Sequence, residues 1–430
     1  VQVKLSAVIS GRFEKKNSHQ LKGYQADGGY ETYLSVLAEK RDPDEITGVV
    51  KASGLRGRGG AGFSTGMKWS FVPKDTGKPV YLCVNADESE PGTFKDRQIL
   101  ELDPHSLLDG VGIASYAIGA HIAYVYVRCE FQLGCERVQA AIDEAYKAGL
   151  FGKNIQGSGY DLDVHLTLGA GAYICGEETS LLNSLEGLRP YPRNKPPFPA
   201  VEGLFGCPTI VNNVETIANI PHIVKHGAEW HGKLGHQDDP GSRLWCVSGD
   251  VATRGVWEIE TGYKLQDLID GPCGGIRDGK QLKAVIPGGS SSKVLTADEV
   301  AQVTMDTPGI RAMGSSLGSA AIIVLDEDTD MVDALLNLMK FYAHESCGQC
   351  TPCREGTPWI VKILKRINDG KGRLADLELL DDLASNIEGR TVCALADGAC
   401  WPLTSIIKKF RHEFVAKIPA EASAHEVAGA

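Results

Sequence analysis

The sequence predicts an α/β layer with a largely parallel sheet, then a small α+β unit, then a four-helix bundle. Three observations predict it. From about residue 56 to 245, glycine-rich turns alternate with β-rich runs and helix-like stretches. Around residue 246 the texture changes to short strands separated by Gly-containing turns, ending near a strand at 320–325. From about 330 onward strands vanish and amphipathic stripes take over. The expected domains are 1–245, 246–329 and 330–430, consistent with 430 residues at roughly 150 per domain.

The first 55 residues read as an N-terminal arm and two helices. Asp42 is the expected N-cap, Pro43 stands at the first helical position, and Ile46, Val49 and Val50 make one apolar stripe. Residues 80–84 are a strand, and 179–185 a helix. The uncharged run 110–127 reads as a short helix ending near Gly119, followed by an aromatic-rich strand at 122–127. It is a poor membrane span, because it carries Ser115, His121, three tyrosines and three glycines. In the middle unit, 244–247, 256–259 and 282–286 are strands and 265–269 is helical. The bundle rests on four stripes. They are Val332, Leu335, Leu336 and Met339; Ile360, Ile363, Leu364 and Ile367; Leu377, Leu380, Leu383 and Ile387; and Leu403, Ile406, Ile407, Phe410 and Phe414. The tail after about Pro419 is expected to fray.

With 44 Lys plus Arg against 55 Asp plus Glu, the formal net charge is −11, which excludes a protein built to hold a nucleic-acid backbone. An anionic ligand must be met by local donors. No signal or transit pattern opens the chain. Twelve cysteines in so long a chain do not read as a disulfide framework. Seven are scattered singly, as small buried hydrophobes, and the protein reads as soluble and intracellular.

The other five crowd the C-terminal quarter. Cys347, Cys350 and Cys353 are spaced C-x2-C-x2-C, which suits three corners of an iron–sulfur cubane. The fourth ligand must come from elsewhere, with Cys393 and Cys400 available, and zinc is the rival metal. Gly57, Gly59 and Gly62 satisfy G-x-G-x-x-G, but the segment before them is helical, so the dinucleotide fingerprint fails its context test. The physics survives that failure: backbone N–H groups approach phosphates, and Arg58 and Lys68 add charge. A strand running into Asn85, Asp87, Glu88 and Glu90 puts acceptors at a sheet's C-terminal edge, where ribose hydroxyls and flavin N–H groups find partners. Residues 164–179 read strand, glycine turn, helix start, a geometry for a phosphate at a helix N-terminus. Arg193, Lys195 and Phe198 lie in a stiff proline-rich loop, and Asn212, Asn213 and Thr216 add amide and hydroxyl groups.

Together the segments 57–63, 85–92, 171–178 and 345–353 closely resemble the flavoprotein subunit of respiratory complex I, over nearly the whole chain. The resemblance implies a Rossmann-like FMN domain, a β-grasp-like domain and a helical bundle holding a [4Fe–4S] cluster. It implies FMN contacts at Gly57, Arg58, Gly59, Lys68, Asn85, Asp87, Tyr173, Gly176, Glu177, Asn212, Asn213 and Thr216. It implies NADH contacts at Gly60, Phe63, Phe71, Glu90, Glu178, Lys195 and Phe198, with the three aromatics around the adenine. It implies cluster ligands Cys347, Cys350, Cys353 and Cys393, and leaves Cys400 out. One departure is Cys129, where the family commonly has glycine. The implied reaction is hydride transfer from NADH to FMN, then single electrons to the cluster, with no catalytic side chain required. The implied partners are a thioredoxin-like [2Fe–2S] subunit and a large iron–sulfur subunit, in the cytoplasmic peripheral arm of a membrane-bound complex. Membrane contact is expected only through the rest of that complex. The alternative is the diaphorase subunit of an NAD-linked hydrogenase or formate dehydrogenase.

Overall fold

The computed structural model describes residues 6–419. Its first sheet has four parallel strands: β1 (Val80–Ala86), β2 (Ala120–Arg128), β3 (Asp163–Gly169) and β4 (Thr209–Asn213), in the order β3-β2-β1-β4. The chain builds outward from β1 to β3, then returns to place β4 on the other side of β1. That reversal opens a crevice at the C-terminal ends of β1 and β4, the usual ligand position in open parallel sheets. Register fixes what stands there, since Asn85 lies opposite Asn213 and Val84 opposite Asn212.

The uncharged run 110–127 proves to be the second half of a long core helix followed by β2. Helix Pro104–Ile118 is buried along almost its whole length, and Gly119 ends it with φ at 72°. It begins earlier than the sequence suggests because Pro104 starts it, with buried polar residues such as His105 and Asp109 masking the apolar period. Among the described residues no helix is long and apolar enough to cross a membrane.

Among the described residues the N-terminal segment holds three α-helices rather than two: Leu21–Ala26, Glu31–Ala38 and Pro43–Ala52. The extra one is under two turns and buries only Tyr24, so it leaves no period to read. Asp42 caps the third, its carboxylate accepting from the Asp44 amide at 3.0 Å with Pro43 in the first turn.

The second sheet contains Ser242–Gly249, Gly255–Glu260, Leu282–Ile286, Leu295–Thr296 and Ala321–Asp326. Its first and last strands pair in parallel at the centre, and the other pairings are antiparallel. Helix Leu265–Asp270 buries Leu265, Leu268 and Ile269 against it. Because the first strand begins at Ser242, a division after residue 245 would cut it.

The C-terminal helices are Met331–Glu345, Thr351–Asn368, Ala375–Ile387 and Leu395–Lys409. Their stripes form one core, with Leu383 only partly buried. The fourth stripe is split: the helix stops at Phe410, and Phe414 belongs to a short fifth helix, Arg411–Ala416. This core also takes in Ile174 from the first unit and Ala284, Ile286 and Val294 from the second.

Candidate functional site

A cleft of about 490 Å³ lies where the three units meet. The first unit lines it with Gly59, Gly60, Asn85, Asp87, Glu90 and Tyr173, joined by Gly176, Glu177 and Asn213. The segment Gly57–Phe63 folds back on itself, with the Gly57 amide donating to the Phe63 carbonyl at 2.8 Å. The Arg58 amide donates to the Thr216 hydroxyl at 2.8 Å. Arg58 also lines the cleft, and its guanidinium reaches the start of the second sheet. It is fully buried, donates to the Pro240 and Ser242 carbonyls at 3.3 and 3.1 Å, and stands 3.8 Å from Asp239. Arg58 therefore ties the glycine loop to the start of the second sheet, while its Nε and Nη1 are buried with no hydrogen-bond partner among the described residues.

Asn85 sits at the tip of β1 and donates to the Gly176 carbonyl at 2.8 Å while accepting from the Asp87 amide at 3.1 Å. Asp87 Oδ1 accepts from the Ser89 hydroxyl at 3.0 Å. Its Oδ2 is buried, and among the described residues nothing donates to it. Burial pushes the Asp87 carboxyl up to about 7, against the opposing pull of Ser89 and Arg128. A buried acceptor facing a cleft with nothing donating to it fits a ligand N–H or O–H.

Strand alternation separates the two asparagines of β4. Asn213 lines the cleft, donates to Asp96 at 2.5 Å and caps helix Val214–Ala218 by accepting from the Glu215 and Thr216 amides. Asn212 accepts from the Trp69 indole at 2.8 Å and does not line the cleft, and Thr216 is buried behind the loop.

The segment after β3 departs from its expected role. Helix Glu178–Leu185 does not offer an open N-terminus: the Glu177 carboxylate already accepts from the Thr179 and Ser180 amides at 2.8 and 2.9 Å. The chain supplies its own anion there. Lys68 and Lys195 are likewise paired rather than free. Both donate to Glu178 at 2.8 Å, and Lys195 also reaches Glu177 at 3.0 Å. Burial would raise the Glu178 carboxyl, but the two ammonium groups outweigh it and hold it at about 2.

Phe63, Phe71 and Phe198 are 52%, 50% and 59% exposed, unusual for large aromatics. Phe63 and Phe71 stand with ring centroids 6.1 Å apart. Glu90 is fully engaged. Its Oε2 accepts from the Tyr173 hydroxyl at 2.6 Å, and its Oε1 from the Ser291 amide and hydroxyl at 2.8 and 2.7 Å.

Cys347, Cys350, Cys353 and Cys393 line one small cavity. The Val392 amide donates to Cys350 Sγ at 3.3 Å, and Ser346 Oγ lies 3.2 Å from Cys353 Sγ. Cys400 is buried in helix Leu395–Lys409 and its thiol donates to the Ala384 carbonyl at 3.7 Å, away from that cavity. Among the described residues no three His, Cys, Asp or Glu side chains are placed to hold a single metal ion. A cubane's thiolates bind different irons, so they surround a volume rather than a point. The cysteine cavity and the cleft share Ile174, Cys393 and Leu395 in their walls.

Sequence reasoning missed two parts of the cleft. One is the wall from the later units: Ser291, Ser316, Ser319, Ala394, Leu395 and Trp401. The other is a buried charge network, in which Lys95 donates to Asp96 at 2.8 Å and stands 2.7 Å from Glu215. Glu88 there accepts from the Lys95, Asp96 and Arg97 amides. The dense charges at 87–97 were a visible signal for that network. The serine wall left none.

Residues 50–222 match the Nuo51 FMN-binding domain family, 243–324 the SLBB domain, and 333–417 the NADH-ubiquinone oxidoreductase-F iron-sulfur binding region. The chain is 52% identical over 411 residues to the second NADH-quinone oxidoreductase F subunit of Rhizobium meliloti, covering 96% of this chain and 97% of that one. It is 50% identical over 410 residues to the NADH-quinone oxidoreductase F subunit of Rickettsia felis, covering 95% and 96%. Among solved structures, an NAD+-reducing [NiFe]-hydrogenase in the H2-reduced state aligns with a TM-score of 0.84 at 34% identity. That alignment covers 96% of this chain and 66% of the hydrogenase chain, so this chain spans about two thirds of that length. With half its residues identical to theirs over nearly their full length, the chain belongs to the family of NADH-quinone oxidoreductase F subunits.

Proposed function

We propose that this chain is the NADH-oxidising flavoprotein subunit of an NADH:quinone oxidoreductase, with FMN in the cleft and a [4Fe–4S] cluster on Cys347, Cys350, Cys353 and Cys393. The observation that carries this reading is the shared wall: Ile174, Cys393 and Leu395 border both cavities. When bound, FMN supplies hydride acceptance from NADH and release of electrons one at a time, and the cluster supplies their first onward site.

The residues present fit both groups. Gly59 and Gly60 bring backbone to the cleft, and Gly57 closes the loop behind them. The Arg58 and Thr216 contacts hold that loop in place, and Asn212 holds Trp69 on the helix that follows it. Asp87 Oδ2 is the free acceptor for a flavin N–H or ribityl O–H, with Asn85, Tyr173, Gly176, Glu177 and Asn213 around it. Lys68 balances Glu178 beside them. For the dinucleotide, the exposed rings of Phe63, Phe71 and Phe198 suit an adenine, with Lys195, Glu178, Glu90 and Gly60 as polar and backbone contacts. Donors to the Cys350 and Cys353 sulfurs would tune the cluster's potential.

The same reading divides the chain into a Rossmann-like flavin unit ending near residue 241, a β-grasp-like unit and the cluster-bearing bundle. The mixed second sheet, with parallel first and last strands at its centre and short helices packed on it, supports the middle assignment. It further expects a thioredoxin-like [2Fe–2S] subunit and a large iron–sulfur subunit as partners. The place is the cytoplasmic peripheral arm of a membrane-bound complex. The hydrogenase alignment favours a second reading, a diaphorase subunit, at 34% identity against 52% for the F subunits.

The chain reconstituted with FMN, iron and sulfide should show flavin bands above a broad iron–sulfur shoulder and reduce ferricyanide with NADH. Full flavin content without NADH oxidation would sink the reading. Purification of the native assembly distinguishes the contexts: NADH-dependent quinone reduction supports the first, hydrogen-dependent NAD+ reduction the second.

A further inference from the structure

Glu90 belongs to the first unit, yet most of its hydrogen bonds come from elsewhere. Its Oε1 accepts from the Ser291 amide at 2.8 Å, the Ser291 hydroxyl at 2.7 Å and the Ser290 hydroxyl at 3.1 Å, all in the middle unit. Ser290 Oγ also lies 2.7 Å from the Tyr342 hydroxyl of the bundle. The backbone reinforces the contact, with the Ser290 amide donating to the Pro91 carbonyl at 3.2 Å. Room for this is made at Gly289, where φ is +90° and a Cβ would stand 2.6 Å from Glu90 Cγ. A second segment of the same unit closes in beside it, Thr93 Oγ1 lying 2.5 Å from Ser319 Oγ. Ser291 and Ser319 both line the cleft.

A carboxylate with several donors on one oxygen is held to one rotamer, and here the donors that do so are about 200 positions away in the chain. We infer that Ser291 is a positioning residue for dinucleotide binding: through Glu90 it makes the middle unit part of the recognition site. This rests on the reading of the cleft as a nicotinamide-dinucleotide site. The hydrogen bonds Ser291 makes go to Glu90, so its loss should weaken binding far more than it slows turnover.

The test is NAD+ binding by calorimetry on the flavin- and cluster-loaded chain, with NADH KM and kcat alongside and flavin content and Tm as folding controls. Ser291→Ala should weaken NAD+ binding roughly 3- to 10-fold, the scale of one charge-assisted hydrogen bond partly replaced by water. Ser291→Thr, which keeps the hydroxyl, should restore it. In a Glu90→Gln background the Ser291→Ala effect should shrink to under about twofold, because the two residues act as one unit. An equal loss in both backgrounds, or none in either, overturns the inference. A wild type that holds flavin but neither binds NAD+ nor oxidises NADH overturns the functional reading instead.

Discussion

At the scale of single residues, Asp87 joins binding to pH. Burial raises its carboxyl to about 7, and a protonated carboxyl is a much weaker acceptor for a flavin N–H than the carboxylate. FMN affinity of the apoprotein should therefore climb with pH and level off above about 7, changing by about tenfold per pH unit below it. Asp87→Asn should flatten that dependence. Flavin fluorescence titrations between about pH 5.5 and 8.5 measure it, and a flat wild-type curve would refute the role. The stability sign is the opposite one. A carboxyl raised above its unfolded value of 3.8 binds its proton more tightly when folded, so it opposes folding increasingly as pH rises from about 4 to 7. Asp87→Asn should accordingly raise the apoprotein's Tm at pH 8 by more than at pH 5.

At the scale of elements, the flavin unit depends on how closely its central helix approaches its neighbours. Helix Pro104–Ile118 meets helix Val214–Ala218 at Gly110, where a Cβ would stand 2.2 Å from the Ile217 carbonyl oxygen. Backbone cannot step aside as a flexible side chain can. Gly110→Ala should cost about 3 kcal/mol in urea unfolding, and because helix Val214–Ala218 carries Thr216 against the glycine loop, FMN affinity should fall with it. Loss of less than about 0.5 kcal/mol would show that the two helices separate easily.

At the scale of the whole molecule, the cleft where the three units meet and the cysteine cavity share one wall. Cys393 faces both, whereas Cys400 lies in the bundle core. Cys393→Ser should abolish the cluster's electron-spin signal while flavin content stays near normal. Cys400→Ser should preserve both. Loss of the signal in Cys400→Ser alone would reverse the ligand assignment.

Wherever local chemistry repeats at a fixed spacing, the sequence by itself determined the outcome. The helical stripes, the strand 80–86 ending in polar residues, the Asp42 cap and the cysteine triplet all follow from periods of two, 3.6 and three residues. The direction of each side chain was a different matter. Arg58 found its partners in Asp239 and two carbonyls far off in the chain. Lys68 and Lys195 met over Glu178, and Glu177 closed the helix end expected to receive a phosphate. The serine wall and the Glu90 clasp arise only when the middle unit packs on the first. Sequence spacing encodes which face of an element is apolar, but a buried polar group takes whichever partner the fold brings within about 3 Å, and only tertiary structure decides which that is.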